Sequence, residues 1–269
     1  MKLRHIAVLG GLLAGGIMGL IPVTVLAAQP AKRAKPTISE EASAALLRMG
    51  QTLRAEQFSF QAKTIRVYSE ANGEPLHIFH TLRVTAHRPN RLLAELTGDD
   101  GSNKLVFDGK TLTLFSPQEK KYVSIPVPEG TIEKMLKEAV DHLGIDFPLA
   151  DFLSEDPNKA VLTGVTAGRV VNTVTIDGVP CDHLFFFQPP GIELELWLEK
   201  NDRSLPRRLV ATHRSLPGQP NFIAEFSDWN FNIQPSDAEF VFQPPADAVQ
   251  VALKPVAATP ATKRKGAKQ

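Results

Sequence analysis

The sequence predicts an α+β chain, mainly antiparallel β, folded as one domain: a large antiparallel sheet with helices segregated to one face. Three observations carry this. Asn72-Gly73, Asp108-Gly109 and Asp177-Gly178 are two-residue turns that join antiparallel neighbours, because both positions tolerate positive φ. Ile192–Glu199 alternates without a break, with Ile192, Leu194, Leu196 and Leu198 on one face and Glu193, Glu195, Trp197 and Glu199 on the other. Such a sheet is dry on one side and wet on the other, which antiparallel sheets permit. Helical stripes fall in two blocks, one ahead of the strands and one interrupting them.

The elements follow in order. Ser39 is placed to cap a helix, Glu40 and Glu41 suit its first turn, and Ala42, Ala45, Leu46, Met49 and Leu53 form one apolar stripe, predicting a helix to about Gln57. The period then changes to that of strands over Phe58–Ser69, Leu76–Ala86, Arg91–Thr97, Lys104–Phe107, Thr111–Phe115 and Lys121–Ile125. Asp100-Gly101 is a further turn, and Arg88-Pro89 and Ser116-Pro117 mark strand ends, since proline cannot donate to a ladder. Ile132, Met135, Leu136, Ala139, Val140 and Leu143 make a second helical stripe that Gly144 terminates. Pro148–Leu153 predicts a short helix with proline in its first turn. Strands resume near Gly164 and continue as Cys181–Gln188, Ile192–Glu199, Pro206–His213 and Asn221–Phe231, giving about eleven. A last short strand is placed at Phe240–Gln243 or at Val249–Leu253.

The ends read differently from the body. Lys2, Arg4 and His5 precede an apolar run from Ile6 to about Ala28, which predicts a secretory signal peptide over 1–28, cleaved after Ala27 or Ala28. The alternative, a retained membrane anchor, fits poorly with five glycines and Pro22 in the run. Residues 29–38 read as a linker, 39–253 as the folded domain, and 254–269 as a disordered basic tail. Ten of the thirty basic residues lie in those ends, whereas all 29 acidic residues fall between Glu40 and Asp247. The body therefore sets 20 basic against 29 acidic residues, a net −9, which argues against a nucleic-acid partner. The tail either solubilises or touches an anionic surface. One cysteine excludes a disulfide framework, and 21 prolines with 18 glycines argue against a helical bundle.

Candidate chemistry is sparse. No phosphate-binding glycine loop, His-Glu-x-x-His or Gly-x-Ser-x-Gly occurs, so the chain is expected to be non-enzymatic, with no metal and no cofactor. Cys181 and His183 share one strand face and make a conceivable thiol–imidazole pair, weighed against a buried thiol beside a satisfied histidine. His77 and His80 face opposite sides of a strand and make a poor ligand pair. Glu193, Glu195 and Glu199 are expected to be surface charges. Fifteen phenylalanines supply large apolar area with no polar group to satisfy, suiting either a lined interior or an ordinary core.

Several motifs together resemble a known family: Arg88-Pro89-Asn90-Arg91-Leu92, Phe107-Asp108-Gly109-Lys110-Thr111-Leu112, Gly144 to Asp151, Gly178-Val179-Pro180-Cys181-Asp182-His183-Leu184, Leu205-Pro206-Arg207-Arg208-Leu209 and Asp228-Trp229-Asn230. Over nearly all of Ser39 to Val251 the chain resembles an uncharacterised family of bacterial predicted periplasmic proteins related in fold to the lipoprotein carrier LolA. The resemblance implies an incomplete β-barrel with helices packed in its concave face around an apolar cavity. It implies a soluble periplasmic carrier of a hydrophobic ligand, such as an acyl chain or lipopeptide, and a monomer. The alternative is a sensor or adaptor that binds another envelope protein. On this reading Ile132, Met135, Leu136, Val140 and Leu143 form a cover, and Phe185, Phe187, Ile192, Leu194, Leu196 and Leu198 line the cavity, with plain core as the other reading of the same residues.

Overall fold

The computed structural model describes residues 37–252 except 70–72, 129 and 146. The expected signal peptide, most of the linker, the basic tail and Asn72 lie outside the described residues. Ser39 accepts from the Ala42 N–H and opens α1 (Glu40–Leu53), which stops four residues short of the expected end because Gln57 already pairs with His87. The meander of β1 (Gln57–Ser69), β2 (Pro75–His87), β3 (Arg91–Gly98), β4 (Gly101–Phe107), β5 (Thr111–Ser116) and β6 (Lys121–Pro126) follows. α2 (Ile132–Leu143) is capped by Thr131 and ends on Gly144 at φ 64°. α3 (Ala150–Leu153) is shorter than expected, and a helix not foreseen, α4 (Pro157–Leu162), follows it with Asp156 as its cap. The second meander is β7 (Ala167–Ile176), β8 (Val179–Gln188), β9 (Ile192–Glu199), β10 (Pro206–His213) and β11 (Asn221–Asn230). Of the two places for a last strand, Phe240 closes a 3-10 turn (Asp237–Phe240), and β12 (Val249–Gln250) pairs parallel with β6.

All twelve strands form one sheet in the order β12-β6-β5-β4-β3-β2-β1-β11-β10-β9-β8-β7. Each meander is sequential, and the two join at a seam where β1 pairs antiparallel with β11, Gln61 meeting Ser227. β7 and β12 end the order without meeting, so the sheet is not closed. Laid flat, twelve strands would be about 55 Å across. Yet one continuous core joins Leu184 and Phe186 of β8 to Leu112 of β5 and Ile125 of β6, with all four helices contributing. The sheet must therefore curve around its helices, as an incomplete barrel does.

Named contacts fix the helical layer. Arg88, at the end of β2, donates to the carbonyls of Leu53 (3.0 Å) and Leu153 (2.9 Å), so one guanidinium satisfies the C-terminal carbonyls of α1 and α3. Its burial lowers its pKa from the ordinary arginine value. Thr52 Oγ1 donates to the Arg203 carbonyl (2.8 Å), tying α1 to the β9–β10 loop. At Gly50 a Cβ would lie 2.7 Å from the Asn158 Cβ, so the missing side chain is what lets α1 and α4 touch. Thr37 and Ser39 bond to Gly168, which brings the start of α1 against β7.

Candidate functional site

Strands β8 to β11 and β1 present their inner face to α3 and α4, and cross-strand register orders that face into three rows. The deepest row runs Thr64, Ala224, Leu209, Leu196, Leu184 and is at most 4% exposed. One step along the strands lie Arg66, Phe222, Ala211, Leu194 and Phe186. A further step places His213, Ile192 and Gln188 in register, with Tyr68 beside them, 48% exposed. Dry aliphatic floor thus grades into a polar rim within four residues of each strand. That gradient follows from antiparallel pairing, which keeps alternate residues of five strands on one face.

Above the two outer rows the chain leaves a cleft of about 510 Å3. Its floor is Phe186, Leu194, Leu209, Ala211 and Phe222, and its opposite wall is Pro148, Asp151, Phe152, Ala160 and Val161 of the α3–α4 region. Gly168 makes room here, since a Cβ on it would lie 2.4 Å from the Phe186 ring. A smaller apolar chamber of about 110 Å3, lined by Leu82, Leu96, Leu105, Leu114, Ile145 and Phe147, shares Arg66, Pro148 and Phe222 with the cleft. The Arg66 guanidinium lies 5.6 Å over the Phe222 ring. Asp151 is exposed at the mouth, and partial desolvation by the surrounding wall pushes its carboxyl above its ordinary value. The cleft therefore combines an apolar floor with a few polar groups at its mouth, a pattern that suits an amphiphile.

The structure divides the expected site residues. Ile192 and Leu194 line the cleft, and Leu196 and Leu198 lie deeper, in the core. Phe185 and Phe187 stand opposite Glu195 and Glu193, on the outer face of the sheet; Leu184 and Phe186 face inward instead. A run of three phenylalanines hides its own parity, and the Gln188–Ile192 register decides it. Ile132, Met135 and Leu136 are buried in the core, Leu143 packs on it, Val140 is 52% exposed, and none of the five lines the cleft. α3 and α4, and no residue of α2, line the wall opposite this floor. Sequence reading missed Arg66, Ala211, Phe222 and Val161; the alternation of β1, β10 and β11 held the first three, and the Asp156-Pro157 pair held the last.

The other candidates are placed apart from the cleft. Cys181 is fully buried, its thiol is raised by burial and donates to the Val179 carbonyl, the opposite of an activated nucleophile. His183 Nε2 sits 2.7 Å from Glu195 Oε2 and its ring stacks on Trp197 at 4.0 Å. Glu199, expected at the surface, is 8% exposed and accepts from Arg207 at 2.6 Å. Among the described residues no group of three or more His, Cys, Asp or Glu is arranged to hold a metal. None of the described helices is long and apolar enough to cross a membrane.

The site is an open, curved antiparallel sheet roofed by α3 and α4 over a cleft with an apolar floor and a polar mouth. The chain belongs to the family described as predicted periplasmic protein (DUF2092), whose model matches residues 42–254. That is the family type expected from the motifs. No curated protein matches the chain. Solved structures similar to it include an uncharacterised conserved protein from Thermus thermophilus, 14% identical over 79% of this chain and 100% of that one, TM-score 0.47. The MucA/MucB complex of Pseudomonas aeruginosa is similar at 20% identity over 79% of this chain, TM-score 0.42, and the match spans 64% of that chain. A LolA superfamily protein from Nitrosomonas europaea is 12% identical over 74% of this chain and 97% of that one, TM-score 0.37.

Proposed function

We propose that this is a soluble periplasmic carrier, exported by its N-terminal segment with cleavage after Ala27 or Ala28, that binds one amphiphilic acyl ligand without covalent chemistry. The observation that carries the reading is the three-row gradient of the cleft floor. An acyl chain lies over Phe186, Leu194 and Ala211, and its polar end stays at the mouth near Arg66, His213 and Gln188. Burying about ten methylenes there yields about 8 kcal/mol before the costs of ordering, enough for a shuttle that must also release. The cleft volume lies within the range of small-molecule sites, about 300–1,000 Å3.

One observation favours a second reading, an adaptor for another envelope protein. On the outer face Phe79, Ile65, Ile223 and Val210 form an apolar row in direct register, with Phe79 52% exposed.

Substitution separates the two. Ala211→Trp fills the cleft from its half-buried floor, whereas Phe79→Asp alters only the outer row. With a fluorescent fatty acid as probe, the carrier reading expects Ala211→Trp to weaken binding at least tenfold and Phe79→Asp to leave it unchanged. Binding that ignores Ala211→Trp, or no binding by the native protein, overturns it and turns attention to the outer row.

A further inference from the structure

The small chamber beside the cleft has so far been given no task. It lies across the seam, where Leu82, Ala94, Leu96, Leu105 and Leu114 bring it apolar side chains from β2 to β5. Arg66 and Phe222, which border both voids, are partners in the β1–β11 register, so cleft and chamber stand on one continuous sheet. Pro148 borders both from the helical side, with Phe147 beside the chamber and Phe152 beside the cleft. The shared boundary includes the Arg66 guanidinium, 5.6 Å over the Phe222 ring. That is a weak contact between a long side chain and a ring, which a guest can displace without moving a strand.

We propose that the chamber is a tail pocket: the far end of an acyl chain crosses the seam past Arg66, Phe222 and Pro148 and comes to rest over β2 to β5. At about 30 Å3 for a water-sized group, about 110 Å3 holds three or four methylenes. That is too little for a ligand of its own and enough for the end of one. The polar groups bordering the chamber are Thr64, Asn103 and His80, and His80 places its Nε2 2.6 Å from Asp100 Oδ1, already engaged. Apolar voids take apolar guests rather than water. Leu82, Ala94 and Leu105 are at most 5% exposed, whereas Leu96 and Leu114 are half-buried. Leu96 and Leu114 therefore set how much chain the pocket admits. The assignment rests on the carrier reading and narrows its ligand to a single long acyl chain, about ten methylenes in the cleft and three or four beyond it. The polar end stays at the mouth by His213 and Gln188.

Displacement of a fluorescent fatty acid by dodecanoate, hexadecanoate and octadecanoate tests the assignment, with circular dichroism to confirm folding. Each methylene moved from water into apolar surroundings is worth about fourfold in affinity. The native protein is expected to bind hexadecanoate at least tenfold more tightly than dodecanoate, and octadecanoate no better than hexadecanoate. In Leu96→Trp, which fills the chamber, hexadecanoate and dodecanoate are expected to bind alike; Leu114→Phe takes its place if that chain does not fold. In Leu114→Ala, which enlarges the chamber, octadecanoate is expected to become the tightest of the three. Ala211→Trp, on the cleft floor, is expected to weaken all three acids. A native protein without the gain from dodecanoate to hexadecanoate overturns the tail pocket, as does a gain that survives in both chamber-filling variants. If Ala211→Trp still weakens binding in either case, the carrier reading stands without it. If none of the acids binds the native protein, the carrier reading fails and the tail pocket falls with it.

Discussion

At the scale of single residues, Asp151 is the group whose chemistry the cleft most alters. Partial desolvation by the cleft wall raises its carboxyl pKa although the residue stays exposed to water, so the folded chain holds that proton only a little more tightly than the unfolded chain does. Its contribution to stability is complete below the unfolded value, near pH 4, and is lost as pH rises through the folded value. Asp151→Asn is therefore expected to be slightly more stable than the native chain at pH 7, by a few tenths of a kcal/mol at this exposed position, and equal to it near pH 3, with urea unfolding at both pH values as the check. Because Asp151 lines the same cleft as Arg66 and His213, the substitution is also expected to tighten binding of an anionic amphiphile. Nothing in the sequence marks this aspartate. It stands beside Ala150 and Phe152 as an ordinary helix-start acid, and its environment comes from residues far along the chain.

At the scale of elements, the α1–α4 contact sets one wall of the cleft. Gly50→Ala gains about 1 kcal/mol of helix propensity but places a methyl 2.7 Å from the Asn158 Cβ, an overpacking that costs about 1–3 kcal/mol. The expected net is a loss of about 1 kcal/mol in denaturant unfolding. It comes with weaker ligand binding, because Ala160 and Val161 of α4 are displaced with it. The elements were legible to different degrees for physical reasons. α2 announced itself by a three-turn stripe from Ile132 to Leu143 ended by Gly144, and β9 by unbroken alternation. α4 is six residues long, too short for periodicity, although Asp156-Pro157 is a helix start in its own right. The inner side of β8 was hidden because Phe185, Phe186 and Phe187 fit either face; the register with β9, set by the short Pro189–Gly191 loop, puts Phe186 against Leu194.

At the scale of the whole molecule, the alternating strands and turns made the fold class readable, but strand order was not. Local turns specify which consecutive strands pair, and each meander obeys them. Whether the two meanders stack, swap or join edge to edge depends on β1 meeting β11, a pairing no local signal encodes. The cleft inherits that indeterminacy. Its lining takes Arg66, Val67 and Tyr68 from β1, so that side of the site becomes visible only once the seam is known.

The seam also sets a timetable for folding. In a chain that emerges N-terminus first, β1 to β6 can zip up from near neighbours, but β1 keeps its other side unpaired until β11 appears, almost at the end of the domain. Pairings of such sequence separation are slow and leave a strand edge exposed while they wait. The thirteen residues of β1 are then the segment that waits longest with an unpaired edge, and the cleft does not exist until nearly the last strand has arrived.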